Sequence, residues 1–435
     1  MYYFEVKESL NFLSDRFFVY FRASDILIEL SSVFSGMMKP LRHVYLPLVL
    51  SSTLLLACSL PTAPMRSVPV QFQARANQTK PAKWTVMVFI AGDNDLEEYV
   101  VKDIETELAA IGANPTVQVV ALADRTPGYD KSRGDWTSTK LFHATKGIKA
   151  TAQSAVADWG ERNTGDPKTL LDFVSWSKAN YPAERYALFM WGHGWNWHPG
   201  YIMEDKSNHD ALDPHELKSI LPQIGAFEMV AYDGCNMGSL EVEALWKGFS
   251  KTIVHSQEYV DWDGIEYDVV LKQLNQNPAM SADQLAVVTS RSASMNKERT
   301  GSAVALDQRF DRFLQMFDAW TLSLIQVLPL YRVPILQAFD QAQHFIDAPD
   351  EKDLLHLVNL IQSKVPDPVI QEQSEALESS FNKVLLTEWH LPEYPFAHGI
   401  TISQVLSKDE YFSYYQGTEL AQMTHWNELL AKLEQ

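Results

Sequence analysis

Apolar runs of strand length alternate with helical patterns in the middle of this chain. Residues 84–91 are continuously apolar apart from one threonine, and apolar residues then recur near helical spacing from Leu96 to Ile111 before Gly112. Residues 117–123 form a second apolar run. Runs without polar alternation are typical of strands buried on both faces of a parallel sheet. The pattern therefore predicts an α/β fold with right-handed crossovers.

Two Asp-Pro pairs extend this alternation. Asp166-Pro167 and Asp213-Pro214 each precede apolar residues at helical spacing, and a strand-length run follows each helix, at residues 186–191 and 227–232. Aspartate is a favoured helix N-cap, and proline suits the first helical position. Asp93, Asn94 or Asp95 can cap the first predicted helix in the same way. We therefore expect a mainly parallel sheet flanked by helices.

Reactive side chains follow two of the predicted strands. His193 lies in Gly-His-Gly after the run ending at Trp191, and Cys235 lies in Asp-Gly-Cys after the run ending at Tyr232. In parallel α/β sheets, binding and catalytic residues lie beyond the carboxyl ends of the strands. A thiol needs an adjacent imidazole to become a thiolate nucleophile, so these two residues predict a Cys-His site if their strands are neighbours. The backbone N–H groups of Gly194 and Cys235 are candidate donors to an oxyanion.

The chain has one other cysteine, Cys58, in a different context. It ends the run Leu-Leu-Leu-Ala-Cys behind an apolar stretch that follows Lys39 and Arg42, and the stretch is too short to span a membrane. The segment resembles the lipobox of bacterial lipoproteins, which implies lipidation of Cys58. We interpret residues 1–57 as a signal region with its translation start at Met37 or Met38, and 58–82 as a tether. A short amphipathic helix before a buried helix, and a Cys58–Cys235 disulfide, are the alternatives.

The charge balance restricts the classes of partner. The formal net charge is −19, which disfavours binding to nucleic acid or to an anionic bilayer by charge and favours cationic substrates. The portion after residue 83 is long enough to bury a large core without a disulfide.

Around the two strand ends, the chain resembles the clostripain family of cysteine peptidases. The likeness includes residues 84–88 and 93–97, Gly165 to Leu170, 233–238 and, weakly, 398–403. It implies a caspase-like catalytic core at 83–270 with a helical C-terminal portion at 271–435. It also implies an endopeptidase in which His193 is the general base and Cys235 the nucleophile of a dyad without an obligatory third member.

The sequence departs from this family pattern in two places. Trp195-Asn196-Trp197-His198 replaces the glycine-rich stretch that often follows the histidine, and Gly234 stands where alanine is commoner. The changes bear on the shape of the cleft beside His193. Residues 275–395 lack motif matches, and we interpret them as helical decoration of the core.

The resemblance also implies a preference for Arg or Lys before the cleaved bond, which requires acidic groups beside the cysteine. Asp233 precedes Cys235 by two residues, and Asp263, in the cluster Asp261-Trp262-Asp263, is a candidate floor for the same pocket. A carboxylate that binds turn N–H groups is the alternative for Asp233, and a solvated acidic loop is the alternative for the cluster.

The loop between His193 and Cys235 carries two further candidates. Several family members cut themselves after a basic residue in this interval, and Lys206 is the candidate here; an ordinary exposed lysine is the alternative. Acidic residues at 204–210 could hold calcium, although the segment is no EF-hand, and no other cofactor is required. His198, His209 and His215 lack the spacing of a zinc site.

We therefore expect a lipid-anchored cysteine endopeptidase of the bacterial cell envelope, at the outer membrane or cell surface, acting on peptides or proteins with basic residues. A caspase-like surface lipoprotein that only binds partners is the alternative from another class. An acyl transferase that uses the same thiol is a third possible function.

Overall fold

The computed structural model describes residues 80–199, 203, 205–293, 299–346, 348–405, 408–409 and 411–434. These residues all lie in one compact unit, Val70–Gln435. The predicted signal region, the start at Met37 or Met38, the lipidation of Cys58 and nearly all of the tether lie outside the described residues, and these interpretations stay predictions.

Strands in the described residues form two sheets. They are β1 (Ala82–Gly92), β2 (Val117–Arg125), β3 (Lys140–His143), β4 (Ala157–Asp158), β5 (Ala183–Trp191), β6 (Met229–Asp233), β7 (Thr252–His255), β8 (Thr300–Ala305), β9 (His344–Phe345), β10 (Ala348–Asp353), β11 (Leu385–His390) and β12 (Thr401–Ser403). Nine of them pair in the order β11-β8-β7-β6-β5-β1-β2-β3-β4, and the other three pair in the order β12-β10-β9.

The centre of the large sheet is parallel. Strands β7, β6, β5, β1 and β2 pair in parallel, whereas β3 and β4 on one side and β8 and β11 on the other pair antiparallel. The chain leaves β1 toward β2 and later returns to β5 on the opposite side of β1. The loops after β1 and β5 therefore diverge at a topological switch point, where sites of open α/β sheets form.

Helices cover both faces of this sheet. Their bounds are Glu97–Lys102, a π-helical Asp103–Leu108, Ala109–Ile111, Pro167–Asn180, Pro214–Ile224, Leu240–Trp246, Tyr267–Gln276, Ala282–Ala293, Gln308–Gln341, Leu354–Lys364, Pro368–Val384, Phe412–Tyr415, Glu419–Met423 and Trp426–Leu433. Ser132–Gly134 is a single 3₁₀ turn. The Asp-Pro pairs act as predicted, since Asp166 accepts from the Lys168 N–H and Asp213 from the His215 N–H.

The buried strands divide their side chains between two cores. Met87 and Phe89 of β1 belong to one apolar cluster, whereas Val86 and Val88 belong to the other. Every residue from Trp84 to Gly92 is buried. This two-sided burial explains why the sequence shows an unbroken apolar run where a half-exposed strand would alternate.

The portion after residue 270 is mainly helical and also contributes strands. Strands β8 and β11 extend the main sheet, and β9, β10 and β12 form the small one. The expectation of helical decoration alone over 275–395 was therefore incomplete. Strands of this length at a sheet edge depend on a neighbouring strand for their hydrogen bonds, and local sequence does not reveal that neighbour.

Among the described residues, one helix is long and apolar enough to cross a membrane by length and composition, Gln308–Gln341. Core helices of soluble proteins pass the same test. Here Phe317 and Trp320 are fully buried in the main core, and Trp320 stacks on Trp426 with ring centres 6.4 Å apart. The helix also contains two prolines, Pro329 and Pro334.

Candidate active site

The two reactive strand ends are neighbours. Strands β5 and β6 pair in parallel, with Trp191 opposite Asp233, and the Gly192 N–H donates to the Asp233 carbonyl at 3.1 Å. Gly194 approaches so closely that a Cβ placed on it would lie 2.6 Å from the Cys235 carbonyl oxygen. The backbone segments that carry His193 and Cys235 are therefore in contact.

Residues after Cys235 are pinned to the segment that follows β7. The Asn236 N–H donates to the Glu258 carbonyl at 3.1 Å, the Asn236 side chain to the Gln257 carbonyl at 3.1 Å, and the Gly238 N–H to the Ser256 carbonyl at 2.7 Å. The half-buried Cys235 thiol lies 4.0 Å from the Val260 carbonyl oxygen. These bonds hold the cysteine in a turn between two loops at the same edge of the sheet.

His193 has a partner that sequence reasoning missed. Its Nε2 lies 2.7 Å from Oδ1 of Asp95, which follows β1 at the switch point. From the sequence alone, Asp95 is one of three candidate N-caps of the first helix, with Asp93 and Asn94. That expectation was wrong, because the helix begins at Glu97 with Leu96 as N-cap and without a side-chain capping bond. The signal available in the sequence was an acidic residue after a strand that neighbours the histidine strand.

The contact with Asp95 sets the tautomer of His193. The hydrogen bond from His193 lowers the pKa of Asp95 below its ordinary value of 3.8. An ionised carboxylate only accepts hydrogen bonds, so Nε2 of His193 carries a proton and donates it. In the neutral ring the lone pair is then on Nδ1, which is the nitrogen left for proton exchange with a thiol.

The close approach of the two strand ends also accounts for one departure from the family pattern. A Cβ on Gly234 would lie 2.6 Å from the Gly192 carbonyl oxygen. Alanine at this position therefore requires the β5 loop to move outward, and glycine permits the shorter separation. The use of the Gly194 and Cys235 N–H groups as oxyanion donors stays a prediction.

Asp233 lies inside the protein with its oxygens occupied. It is 7% exposed and accepts hydrogen bonds from the Ile265 N–H at 3.2 Å and the Tyr267 hydroxyl at 2.8 Å. Burial raises the pKa of its carboxyl to about 6. This is the turn-binding carboxylate that the sequence left open as an alternative. The negative charge of Asp233 also helps to raise the pKa values of the buried acids Asp103 and Glu107.

Asp263 lies on the surface. Its side chain is 59% exposed and forms an ion pair with Lys102 of the first helix. The neighbouring Trp262 is half exposed and stacks on Tyr99, with ring centres 5.6 Å apart. The loop at 261–264 thus folds over the first helix, and Gly264 lies against the Asp233 carboxylate. Asp233 is therefore buried against this loop, whereas Asp263 is exposed on it.

Lys206 belongs to a turn beside the loop that bears Asp95. The Lys206 N–H donates to the Asp93 carbonyl at 2.8 Å, and its Nζ lies 3.3 Å from the Tyr129 hydroxyl. Asp205 and Asp210 close the turn through two backbone hydrogen bonds. The positive charge of Lys206 contributes to the lowered pKa of Asp95, so this lysine lies within electrostatic range of the His193 partner.

The tryptophan-rich segment after His193 packs inward. Trp197 is buried, contacts Tyr415 edge-on with ring centres 4.8 Å apart, and donates to Glu351 at 3.3 Å. His198 stacks on Trp197, and burial lowers its pKa to about 4. His215 stacks on an aromatic ring of the C-terminal portion in the same way. A glycine-rich stretch could not make these aromatic contacts, which accounts for this departure from the family pattern.

Comparison with known proteins places these features in a family. A family model for Peptidase_C11, the Clostripain family, matches residues 88–365, which is more than half of the chain. Clostripain of Hathewaya histolytica is 25% identical over 328 aligned positions; the match covers 61% of this chain, and the chain spans 62% of that relative.

Two solved structures share the fold at low sequence identity. A secreted C11 cysteine protease from Bacteroides thetaiotaomicron, solved with an irreversible peptide inhibitor, has a TM-score of 0.61 and 16% identity and covers 79% of this chain and 99% of its own. An inactive zymogen C11 protease from Parabacteroides distasonis has a TM-score of 0.56 and 18% identity, covering 80% and 99%. The match to the family model, together with the cysteine and histidine at adjacent strand ends, shows that this chain belongs to the Clostripain family.

Proposed function

We propose that this protein is a cysteine endopeptidase whose nucleophile is Cys235 and whose general base is His193. The observation that carries the proposal is the contact between the two strand ends, with Asp95 bonded to Nε2 of the imidazole. This arrangement supplies a nucleophile, a base and a group that orients the base.

The chemistry follows from these positions. His193 takes the proton of the Cys235 thiol, and the thiolate attacks the peptide carbonyl carbon to form a tetrahedral adduct. The C–N bond then breaks, and the imidazolium returns its proton to the leaving amine. Water activated by the same imidazole hydrolyses the thioester and regenerates the thiol. Asp95 stabilises the imidazolium charge that appears in both halves of the cycle.

The substrate preference we propose is Arg or Lys before the cleaved bond. Its support is the family resemblance and the presence of two acids near the nucleophile: Asp233, two residues before Cys235, whose carboxylate is buried against Ile265 and Tyr267, and the exposed Asp263. Asp263, exposed in the loop at 261–264, already forms an ion pair with a cation, Lys102. A substrate guanidinium or ammonium group can compete for such carboxylates, whereas an acidic side chain is repelled.

Self-cleavage after Lys206 is proposed on its position. The turn at 205–210 adjoins the loop that bears Asp95, and the similar zymogen structure shows that inactive precursors occur in this fold. The N–H groups of Lys206 and Ser207 both donate hydrogen bonds to Asp93. The Lys206–Ser207 peptide bond must therefore separate from Asp93 before it can reach Cys235. Cleavage is therefore expected to be slow compared with that of a flexible peptide.

Lipid attachment at Cys58 and an envelope or extracellular location complete the proposal. Their support is the lipobox-like segment ahead of Cys58 and the similarity in fold to a protease described as secreted. Mass spectrometry of the membrane fraction tests the anchor directly, because diacylation adds a defined mass at Cys58 and a Cys58→Ser variant cannot carry it.

The test of the activity uses fluorogenic peptides with Arg, Lys, Asp or Leu before the reporter group. We expect the full chain to release the reporter after Arg and Lys, and the Cys235→Ala variant to release none. Cys58→Ala is the matched control, because it removes the other thiol and leaves the site intact. Absence of turnover with every peptide would favour the surface lipoprotein that only binds partners.

Gel electrophoresis of the same preparations tests self-cleavage. A cut between His193 and Cys235 is expected in the parent and not in Cys235→Ala, and Lys206→Ala should prevent it. The same cut in Lys206→Ala would refute this position. Adding an amine nucleophile to the peptide assay distinguishes hydrolysis from acyl transfer, since a transferase forms the amide product in proportion to the amine.

A further inference from the structure

The residue directly after Cys235 has a backbone conformation that its neighbours must enforce. Asn236 has a φ of +55°, in the left-handed region that residues other than glycine rarely adopt. Its N–H donates to the Glu258 carbonyl and its side-chain amide to the Gln257 carbonyl, both at 3.1 Å. Such a conformation persists where the surrounding bonds fix it. The position of the cysteine therefore depends on what holds residues 256–258.

The side chain of Gln257 holds this segment from the opposite side. It is buried, its Nε2 donates to Oδ2 of Asp353 at 3.0 Å, and its Oε1 accepts from the Gly399 N–H at 2.8 Å. Asp353 ends β10, and Gly399 comes two residues before β12. Both bonds of the amide thus join the segment beside the nucleophile to the small sheet of the C-terminal portion.

Asp353 is the centre of this connection. Its carboxyl is fully buried and also accepts from the N–H of His356 at 2.8 Å, the N–H of His398 at 2.6 Å and Nδ1 of His398 at 2.8 Å. Because four donors face its two oxygens, the carboxyl acts as an acceptor only, as an ionised group does. The bond from His356 caps the helix Leu354–Lys364, but the other three have no part in starting that helix.

The charge of Asp353 is balanced by His398. Burial opposes a charge on this imidazole, but the hydrogen bond and the negative charge of Asp353 outweigh burial and raise the pKa of His398 above its ordinary value of 6.5. The charge of Glu388 acts in the same direction. A buried carboxylate is stable when it is paired and hydrogen-bonded. The His398–Asp353 pair therefore presents a fixed acceptor to Gln257.

We propose that Gln257 and Asp353 are positioning residues for Cys235. The Asp353 carboxylate orients the Gln257 side chain, Gln257 fixes the segment 256–258, and that segment holds the turn that bears the thiol. This inference rests on the proposed role of Cys235 as the nucleophile. It gives the C-terminal portion a part in catalysis, because residues that never touch the substrate set the place of the attacking sulfur. A displacement of about 1 Å at such a place can reduce a rate about a hundredfold.

Two substitutions break the connection at different points. Asp353→Asn keeps the helix start, because asparagine is as good an N-cap as aspartate, but its single oxygen cannot serve all four donors. Gln257→Met keeps nearly the same shape and lacks the amide donor. Both are made in the full chain with Cys58→Ala, so that Cys235 is the only thiol.

The measurements are steady-state kinetics on an Arg peptide and the rate at which iodoacetamide alkylates Cys235. In each variant we expect kcat to fall about 10- to 100-fold with KM within about twofold of the parent, because the substrate side chains bind elsewhere. Alkylation at pH 7 should slow at least about fivefold, since a thiol displaced from its imidazole loses thiolate character. If the two residues act through one another, the double variant should lose no more than the more affected single variant.

Ser374→Ala is the control for a loss of stability alone. It removes a buried hydrogen bond of 3.0 Å with Trp320, in the helical part of the C-terminal portion, and should lower the thermal midpoint while kcat and alkylation stay parental. Parental kcat and alkylation in both Gln257→Met and Asp353→Asn would overturn the proposal, as would equal losses in Ser374→Ala. If Asp353→Asn does not fold, Gln257→Met decides alone. If the parent cleaves no peptide, the proposed peptidase fails, and alkylation alone decides whether the two residues position the thiol.

Discussion

Gly194→Ala tests the contact between the two strand ends. In the structure a Cβ on Gly194 would lie 2.6 Å from the Cys235 carbonyl oxygen, whereas ordinary contacts begin at 3.4 Å. The two segments must therefore separate by about 0.8 Å, because a backbone carbonyl cannot rotate away as a side chain does. The nearby Met237 side chain, at 2.9 Å, can adjust.

The expected cost is kinetic. Misplacement of reacting groups by about 1 Å can reduce a rate about a hundredfold, and loss of one oxyanion donor costs about as much or more. We expect kcat/KM on an Arg or Lys peptide to fall about 30- to 100-fold, which corresponds to about 2–3 kcal/mol of transition-state stabilisation. Most of the loss should appear in kcat, because substrate side chains bind elsewhere in the cleft.

The assay combines steady-state kinetics, the rate of Cys235 alkylation and thermal unfolding. Gly147→Ala is the control, since Gly147 has a φ of +75° and open space around it, so alanine there causes backbone strain of about 1 kcal/mol without touching the site. It should lower the thermal midpoint and leave kcat unchanged. A Gly194→Ala enzyme that keeps kcat/KM within twofold of the parent would refute the reasoning.

Three further predictions concern the histidine partner, the buried acids and the long helix. Asp95→Asn should lower kcat about 5- to 30-fold with KM and thermal stability unchanged, a modest loss because Asp95 is 60% exposed; an unchanged kcat would show that Asp95 does not orient His193. Burial and the charge of Glu351 raise the pKa of Glu241 to about 8, and burial raises that of Glu351 to about 7. Because the pKa values of both carboxyls in the folded state lie above the ordinary 4.5, their contribution to the free energy of unfolding is complete below about pH 4.5. This contribution is lost as the pH rises past 7 to 8. The thermal midpoint should therefore be lower at pH 9 than at pH 6, and Glu351→Gln should reduce the difference; a variant with the parental difference would exclude this pair as its source. Trp320→Ala should reduce the free energy of unfolding in urea by about 3–5 kcal/mol, because the ring is fully buried. An unchanged urea midpoint would show that the helix Gln308–Gln341 does not pack in the main core.

Several features of the catalytic region were predictable because they depend on local sequence. The unbroken apolar run at 84–91 predicted a strand buried on both faces, and β1 is such a strand. Asp166 and Asp213 predicted two helix starts through side-chain capping, which involves only the next few residues. The same patterns placed His193 and Cys235 at strand ends and left open whether the two strands are neighbours; the pairing of β5 with β6 shows that they are.

Other features depend on contacts between distant residues. The two-residue spacing of Asp233 and Cys235 suggested a pocket wall, yet the fold directs the Asp233 carboxylate to Ile265 and Tyr267, whose positions the sequence does not reveal. Strands β8 and β11 were likewise missed, because short strands are specified by the neighbour with which they pair.

The sequence alone determined the class of fold and the candidates for the nucleophile and the base, since hydrophobic periodicity and the residues at strand ends are local properties. Only the tertiary structure decided that Asp95 binds His193 and that Asp93, Glu161 and Asp205 meet. The physical reason is topological: the reversal of strand order at β1 brings together loops that are up to about a hundred residues apart in the chain, and the electrostatics of the site arise from that meeting.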